Sequence, residues 1–319
     1  MSFVLLILGL VVLISSANVL VSGASSVAKK FNIPNLVIGL TVVSFGTSFP
    51  ELMVNLLAGI KGQSDLAVGN VIGSNIVNIL LVIGVSALLK PIAVQNNTVK
   101  FEIPFSILAI AVLFVSANDR LIDGTAKSLL SRSDGFIFLA FFLIFMYYTF
   151  IVSKEGSDTS DSGHQVKEQP MFTSTLFILL GFVGLYFGGN LIVDNATEIA
   201  VNLGISQAVI GILVIALGTS LPELATSAVA AYKGNADMAV GNIVGSNIFN
   251  VFFVLGVSVS IQPIAFNPAL NMDIGVAMLA SILLFVFIFT GKGRQIDRVE
   301  ASALLLLYVV YVGWLLLKP

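Results

Sequence analysis

Long apolar runs alternate with short polar breaks along the chain. Ten runs can be counted, at approximately 3–28, 35–60, 66–89, 101–118, 134–153, 171–200, 207–232, 238–261, 268–290 and 299–317. Crossing a bilayer takes about 20 apolar residues, so each run can form one span. Backbone amides in hydrocarbon must bond within their own segment, and runs this long and uniform predict helices rather than barrel strands. The expected fold is an all-α polytopic membrane protein with ten transmembrane helices. Pro104 and Pro268 blur the starts of the fourth and ninth runs.

Composition removes the soluble alternatives. The chain has 319 residues, 57% hydrophobic and only 10% charged, with a mean hydropathy of +1.03. About a quarter of a soluble domain is charged, and this chain would expose more apolar surface than water tolerates. The absence of cysteine excludes disulfides, thiolate metal sites and cysteine nucleophiles. A single histidine, His164, excludes His-rich metal sites and makes a Ser–His–Asp arrangement improbable. The net charge of −2 gives no reason to expect nucleic acid as a partner.

Lysine and arginine placement sets the expected orientation. With ten spans both termini share one face, which carries five basic residues: Lys61, Arg120, Lys127, Arg132 and Lys318. The other face carries ten: Lys29, Lys30, Lys90, Lys100, Lys154, Lys167, Lys233, Lys292, Arg294 and Arg298. The positive-inside bias puts both termini outside and the longest loop, 154–170, in the cytoplasm of a cell bounded by its plasma membrane. That loop (KEGSDTSDSGHQVKEQP, with His164) is polar and reads as a linker. No basic region precedes the first run, so no signal peptide is expected.

Internal repetition organises the whole. Residues 39–94 set over 211–266, at a constant offset of 172 without gaps, agree at 28 of 56 positions. The offset extends weakly through the first span, pairing Gly9 with Gly181 and Asn18 with Asn190, and fades in the last two spans of each half. It carries the chain across five spans, an odd number, so the second copy enters the membrane from the opposite side. The expected units are a first five-helix repeat (1–153), the linker (154–170) and a second, inverted five-helix repeat (171–319). Inverted repeats typify secondary transporters, whose substrate site lies near the midplane where the halves meet.

Each repeat carries Gly-Thr-Ser-x-Pro-Glu in mid-span: Gly46, Thr47, Ser48, Pro50 and Glu51, then Gly218, Thr219, Ser220, Pro222 and Glu223. An ionised side chain at that depth costs roughly 3 kcal/mol or more unless paired or solvated. No lysine or arginine lies inside a span to neutralise either glutamate. A cation from solution is the simplest partner. Pro50 and Pro222 lack the N–H that would bond to Gly46 and Gly218, which leaves carbonyl oxygens near the break free. Thr47 and Ser48 precede Glu51 by four and three residues and so share its helix face, as Thr219 and Ser220 do for Glu223.

The third and eighth spans each carry Gly-Asn-x-x-Gly-Ser-Asn-x-x-Asn, from Gly69 to Asn78 and from Gly241 to Asn250. Ser74 shares a face with Asn78, and Ser246 with Asn250. Gly69 with Gly73, and Gly241 with Gly245, form small-xxx-small ridges that let helices approach closely. Asn70, Asn75, Asn242 and Asn247 point along a different helical angle and read as packing residues. Asp65 and Asp237, just ahead of these spans, read as helix caps. The donor set is carboxylate, hydroxyl, amide and carbonyl oxygen, which suits hard cations such as Ca²⁺ and Na⁺ and suits Zn²⁺ and copper poorly.

At these residues the chain resembles the sodium/calcium exchangers of the cation/calcium exchanger superfamily, and the short central loop resembles the prokaryotic type. The likeness covers most of the chain. It implies Glu51 and Glu223 as principal cation ligands, joined by Thr47, Ser48, Ser74, Asn78, Thr219, Ser220, Ser246 and Asn250. It implies backbone carbonyls at Ser44, Thr47, Ala216 and Thr219 as well. It further implies a ten-helix fold whose first and sixth spans slide past the other eight, working as a monomer without a cofactor, and exchange of three Na⁺ for one Ca²⁺. Some relatives, notably potassium-dependent ones, have Asp where this chain has Asn250. Two carboxylates balance one Ca²⁺ or two Na⁺, so a third Na⁺ makes the cycle electrogenic.

Three other functions compete with this reading. A proton/calcium exchanger is the alternative antiporter; Asn195-Ala196-Thr197-Glu198 looks like that branch's motif but has no counterpart at Gly23–Ser26. An intramembrane enzyme using the two glutamates lacks a nucleophile–base pattern. A passive cation channel would leave the inverted repeat without a coupling role.

Overall fold

The structure is a computed structural model that describes residues 2–124, 126–154, 168–202, 216–290 and 293–317. The linker between spans 5 and 6, with His164, lies almost wholly outside the described residues, as does the first part of span 7. Eight helices are individually long and apolar enough to cross a membrane. They are span 1, Ser2–Lys30; span 3, Ser64–Leu89; span 4, Thr98–Ser116; span 5, Arg132–Lys154; span 6, Met171–Ile199; span 8, Ala236–Ile261; span 9, Pro268–Thr290; and span 10, Arg298–Leu317. Span 2 is a broken pair, Asn35–Thr47 and Phe49–Ile60, bent by 44°. Span 7 is seen as Ala216–Thr219 and Leu221–Tyr232.

Spans 3 and 8 form the centre. In their most apolar stretches 78% and 83% of residues are buried, against at most 44% in the other unbroken spans. Their sequences explain this placement. They carry small and polar residues on every side, so a lipid-facing surface would strand amides in hydrocarbon. The outer spans instead turn large apolar side chains outward, such as Phe136 and Leu143 on span 5 or Leu306 and Val309 on span 10.

Glycines set the close crossings. A Cβ at Gly241 would stand 2.6 Å from the carbonyl oxygen of Leu36, and one at Gly245 would meet Ser44 and the backbone of Leu40, so span 8 lies directly on the first half of span 2. Spans 1 and 6 run antiparallel in equally close contact. Gly9 faces Gly188 and Ile192, Gly181 faces Leu20, and Gly23 faces Ser174 and Phe177.

The turn after span 2 and the turn after span 7 are copies. Gly62 (φ 68°) and Gly234 (φ 85°) adopt the left-handed conformation that ends a helix. Their N–H groups bond to Gly59 O and Ala231 O, and those of Gln63 and Asn235 to Ala58 O and Ala230 O. The helices that follow begin at Ser64 and Ala236. Asp65 and Asp237 therefore lie inside the first turn rather than at the cap. Asp65 accepts from Asn267 at 3.2 Å and Asp237 from Gln95, tying each span to a loop of the other half. These two bonds are one contact repeated, since 95 and 267, like 65 and 237, differ by 172.

The loops also pair by face. Ile92–Ala93 forms an antiparallel bridge with Gln295–Ile296, and Leu129–Leu130 with Ile264–Ala265. Loop 3–4 thus meets loop 9–10, and loop 4–5 meets loop 8–9, as an alternating up-and-down chain requires. The symmetry extends further than sequence matching does. Tyr148 of span 5 donates to Glu102 of span 4, and Tyr311 of span 10 donates to Asp273 of span 9 at 2.8 Å. The separations from carboxylate to tyrosine differ because the connection between these spans is shorter in the second half, which is why a constant offset loses them.

Candidate cation site

Each glutamate sits at the start of a new helix segment. Thr47 ends one segment and Phe49 starts the next, with Ser48 between them at φ −86°, ψ 6°. Thr219, Ser220 (φ −88°, ψ 2°) and Leu221 repeat the break. Pro50 and Pro222 occupy the first turn of the second segment, where a missing N–H costs nothing. Glu51 and Glu223 follow immediately, in the first turn, where the positive end of the helix favours a carboxylate. Both side chains are 0% exposed.

The broken helices meet across the pseudo-two-fold axis. Glu51 stands beside Thr219 and Ser74, and Glu223 beside Thr47, Ser48 and Ser246. Ser48 donates to Glu223 Oε1 at 3.1 Å and Ser246 donates to the same oxygen at 3.3 Å. The hydroxyls of Ser74 and Thr219 are 3.4 Å apart. Residues from all four central spans therefore converge on the two carboxylates. Ser44, fully buried, turns its hydroxyl to Gly39 O at 2.7 Å and Asn242 O at 2.9 Å, at the crossing of spans 2 and 8. Ala216 opens the helix segment that ends at Thr219.

Spans 3 and 8 carry a departure that hydropathy does not signal. At Asn78–Ile83 and at Phe249–Leu255 the helix widens into π geometry, and Asn78 and Asn250 lie in these wide turns. Such turns cluster at functional sites because they free backbone and re-aim side chains. Asn78 Nδ2 donates to Asn247 Oδ1 at 3.0 Å and Asn250 Nδ2 donates to Asn75 Oδ1 at 3.1 Å. Thr47 Oγ1 lies 3.2 Å from Asn242 Oδ1, with Val43 O also in range at 3.1 Å, and Thr219 Oγ1 lies 3.4 Å from Asn70 Oδ1. The four asparagines read from sequence as packing residues thus contact the predicted site residues directly. Their spacing held a signal: Asn75 is three residues from Asn78, and Asn70 four from Ser74, so each pair shares a helix face.

Six buried oxygens in this cluster accept no hydrogen bond and donate none: Glu51 Oε1 and Oε2, Glu223 Oε2, Ser220 Oγ, Asn78 Oδ1 and Asn250 Oδ1. Buried polar atoms without a partner are uncommon and costly; three of these six are oxygens of the two carboxylates and three belong to other predicted ligands, which describes a site shaped for something that offers positive charge. Among the described residues no three His, Cys, Asp or Glu side chains converge to hold a metal. The charged part of the cluster is this one pair. Asn195 bonds back to Leu191 O at 2.7 Å within span 6 and takes no part.

The sequence matches the family model for sodium/calcium exchanger protein over residues 1–151 and 173–317. CaxA of Alkalimonas amylolytica is 41% identical over 315 residues, covering 97% of this chain and 96% of that one. The sodium/calcium exchanger MaX1 of Methanosarcina acetivorans is 32% identical over 341 residues, covering 98% and 97%. Among solved structures, the sodium-calcium exchanger NCX_Mj soaked with 2.5 mM Na⁺ and 0.1 mM Ca²⁺ superposes with a TM-score of 0.79 at 32% identity, covering 98% of this chain and 97% of that one. The chain therefore belongs to the sodium/calcium exchanger protein family, a membrane antiporter of cations and not an enzyme.

Proposed function

We propose that the protein exchanges Na⁺ for Ca²⁺ across the plasma membrane by alternating access, with three Na⁺ moving against one Ca²⁺. Glu51 and Glu223 supply the charge. Thr47, Ser48, Ser74, Asn78, Thr219, Ser220, Ser246 and Asn250 supply neutral oxygens, and the backbone carbonyls of Ser44, Thr47, Ala216 and Thr219 complete the set. The two five-helix units, 1–153 and 171–319, form the halves of one monomer, with both termini outside. The observation that carries this reading is the group of six buried, unpartnered oxygens, three of them from the carboxylate pair itself and three from Ser220, Asn78 and Asn250. Ca²⁺ takes six to eight oxygen ligands, and a site with only two carboxylates binds it without holding it permanently.

Both ions suit the same oxygens, so they compete. Competition for one pocket is what couples their movement, because a pocket emptied of one ion is neutralised only by the other. The test is ⁴⁵Ca uptake by proteoliposomes loaded with Na⁺ and diluted into Na⁺-free medium, with and without K⁺. Uptake that needs the Na⁺ gradient and ignores K⁺ is expected. Uptake driven by a proton gradient alone would replace Na⁺ with H⁺ as the coupling ion. Ca²⁺ leak with no gradient of either would reject antiport.

A further inference from the structure

The predicted ligands of the site are themselves held by a layer of asparagines with fixed polarity. An amide can face a neighbour with its oxygen or its NH₂ group, and its other partners decide which. In span 3 the NH₂ of Asn70 is engaged by Asn55 Oδ1 at 2.9 Å; in span 8 the NH₂ of Asn242 is engaged by Ser227 Oγ at 2.9 Å. The NH₂ of Asn75 donates to Asn247 O at 3.2 Å, and that of Asn247 to Asn75 O at 3.5 Å. Each of the four thus turns its NH₂ edge to that partner and its oxygen edge toward the site.

Those oxygens meet donors of the opposite repeat: Asn247 takes the amide hydrogen of Asn78, Asn75 that of Asn250, and Asn242 and Asn70 face the hydroxyls of Thr47 and Thr219. The consequence is visible at Asn78 and Asn250. With their NH₂ groups bound to Asn247 and Asn75, their Oδ1 atoms are left buried and unpartnered. Reversed polarity would present NH₂ groups to a cation. Every one of these bonds occurs twice, once in each half, so the arrangement is not an accident of one helix contact.

We propose that Asn70, Asn75, Asn242 and Asn247 are positioning residues that turn the amide and hydroxyl oxygens of the site toward the cation. This rests on the functional reading above. It assigns the four asparagines no contact with the ion, only control over which atom their neighbours present.

The test is a double-mutant cycle on Na⁺-driven Ca²⁺ uptake, using Asn247→Leu, Asn78→Ala and the pair. Asn247→Leu removes the acceptor at nearly constant volume. It is expected to raise the KM for Ca²⁺ about tenfold with a smaller change in kcat, as loss of one buried, charge-coupled hydrogen bond would. In the Asn78→Ala background the same change is expected to add less than about twofold, because the group it orients is already gone. Ser227→Ala, a milder change that loosens only the anchor of Asn242, is expected to raise KM about threefold and to have no effect once Asn242 is Leu. Independent, additive effects, or a fall in kcat with KM unchanged, would overturn the inference. Wild-type protein that shows no Na⁺-driven uptake would instead reject the functional reading, so the two failures are distinct.

Discussion

Glu51 and Glu223 occupy equivalent positions in two copies of one motif, yet their surroundings differ. Glu223 accepts from Ser48 and Ser246 at 3.1 and 3.3 Å, whereas Glu51 has only the looser approach of Thr219 and Ser74. Glu51 therefore carries the larger uncompensated desolvation. Glu51→Gln should stabilise the ion-free protein, by about 1–3 kcal/mol if the full cost of an unsatisfied buried charge is relieved. Glu223→Gln should gain less, because it weakens two hydrogen bonds that the charge now strengthens. Thermal unfolding in detergent with a Ca²⁺ chelator measures the difference; equal shifts would show that the two carboxyls are energetically alike. Both variants should lose Ca²⁺ uptake. At this scale the sequence was most legible where identity between repeats coincided with chemical cost: two mid-span glutamates without a basic partner could be nothing ordinary. It was least legible at Asn75 and Asn247: spacing ties each to the face of a predicted ligand, but their partners come from the other repeat, which no rule within one helix reveals.

The helices gain their function from where they stop being regular. Pro50 and Pro222 made the breaks in spans 2 and 7 foreseeable. The π turns at Asn78–Ile83 and Phe249–Leu255 carry no proline or glycine, so hydropathy reads straight through them. The gap in the hydrophobic pattern is too small to see when every face is buried. The glycines of the Gly-Thr-Ser motif have a role of their own. A Cβ on Gly46 would enter the ring of Phe182, and one on Gly218 would enter Val193, both on span 6. Span 6 thus lies directly against both breaks, and a side chain at either position would wedge it away. If span 6 slides during transport, Gly46→Ala is expected to slow Ca²⁺ uptake at least about tenfold while leaving the KM for Ca²⁺ within about twofold, since overpacking of about 1–3 kcal/mol then falls on the contact with span 6 rather than on a ligand. Adding Phe182→Leu should restore most of the rate. If the double variant is as slow as Gly46→Ala alone, the contact with span 6 is not the cause.

Taken as one body, the molecule also departs from its two-fold symmetry at spans 1 and 6. The ammonium of Lys233 donates to Asn18 O at 3.0 Å and to Ser22 Oγ at 2.9 Å, and Asn235 donates to Ser25 Oγ at 2.9 Å. Burial holds the Lys233 ammonium below the usual lysine range, so these bonds are made at some cost in desolvation. Among the described residues the equivalent Lys61 and Gln63 make no such bonds to span 6. One end of span 1 is therefore clamped while its symmetry mate is not. The chain lacks cysteine, so a reporter at the buried position Ala24 of span 1, Ala24→Cys, can be labelled cleanly. In the Lys233→Met background labelling should rise about tenfold, as loss of roughly 1.4 kcal/mol from the closed contact requires. An unchanged rate would mean that the clamp carries no weight. Charge gives the whole molecule its second asymmetry. The pocket has −2 from its two carboxylates: Ca²⁺ brings it to 0, and three Na⁺ bring it to +1. If three Na⁺ leave a vesicle for each Ca²⁺ that enters, one positive charge moves outward per cycle. An inside-positive potential should then drive Ca²⁺ uptake and an inside-negative one oppose it, by about 2.3 kcal/mol per 100 mV, or a factor of about 50 in the limiting Ca²⁺ ratio. Proteoliposomes clamped with K⁺ and valinomycin measure this directly. A Ca²⁺ ratio that ignores voltage would mean two Na⁺ per Ca²⁺, a count at which the pocket is neutral with either cargo and the field has no net charge to act upon.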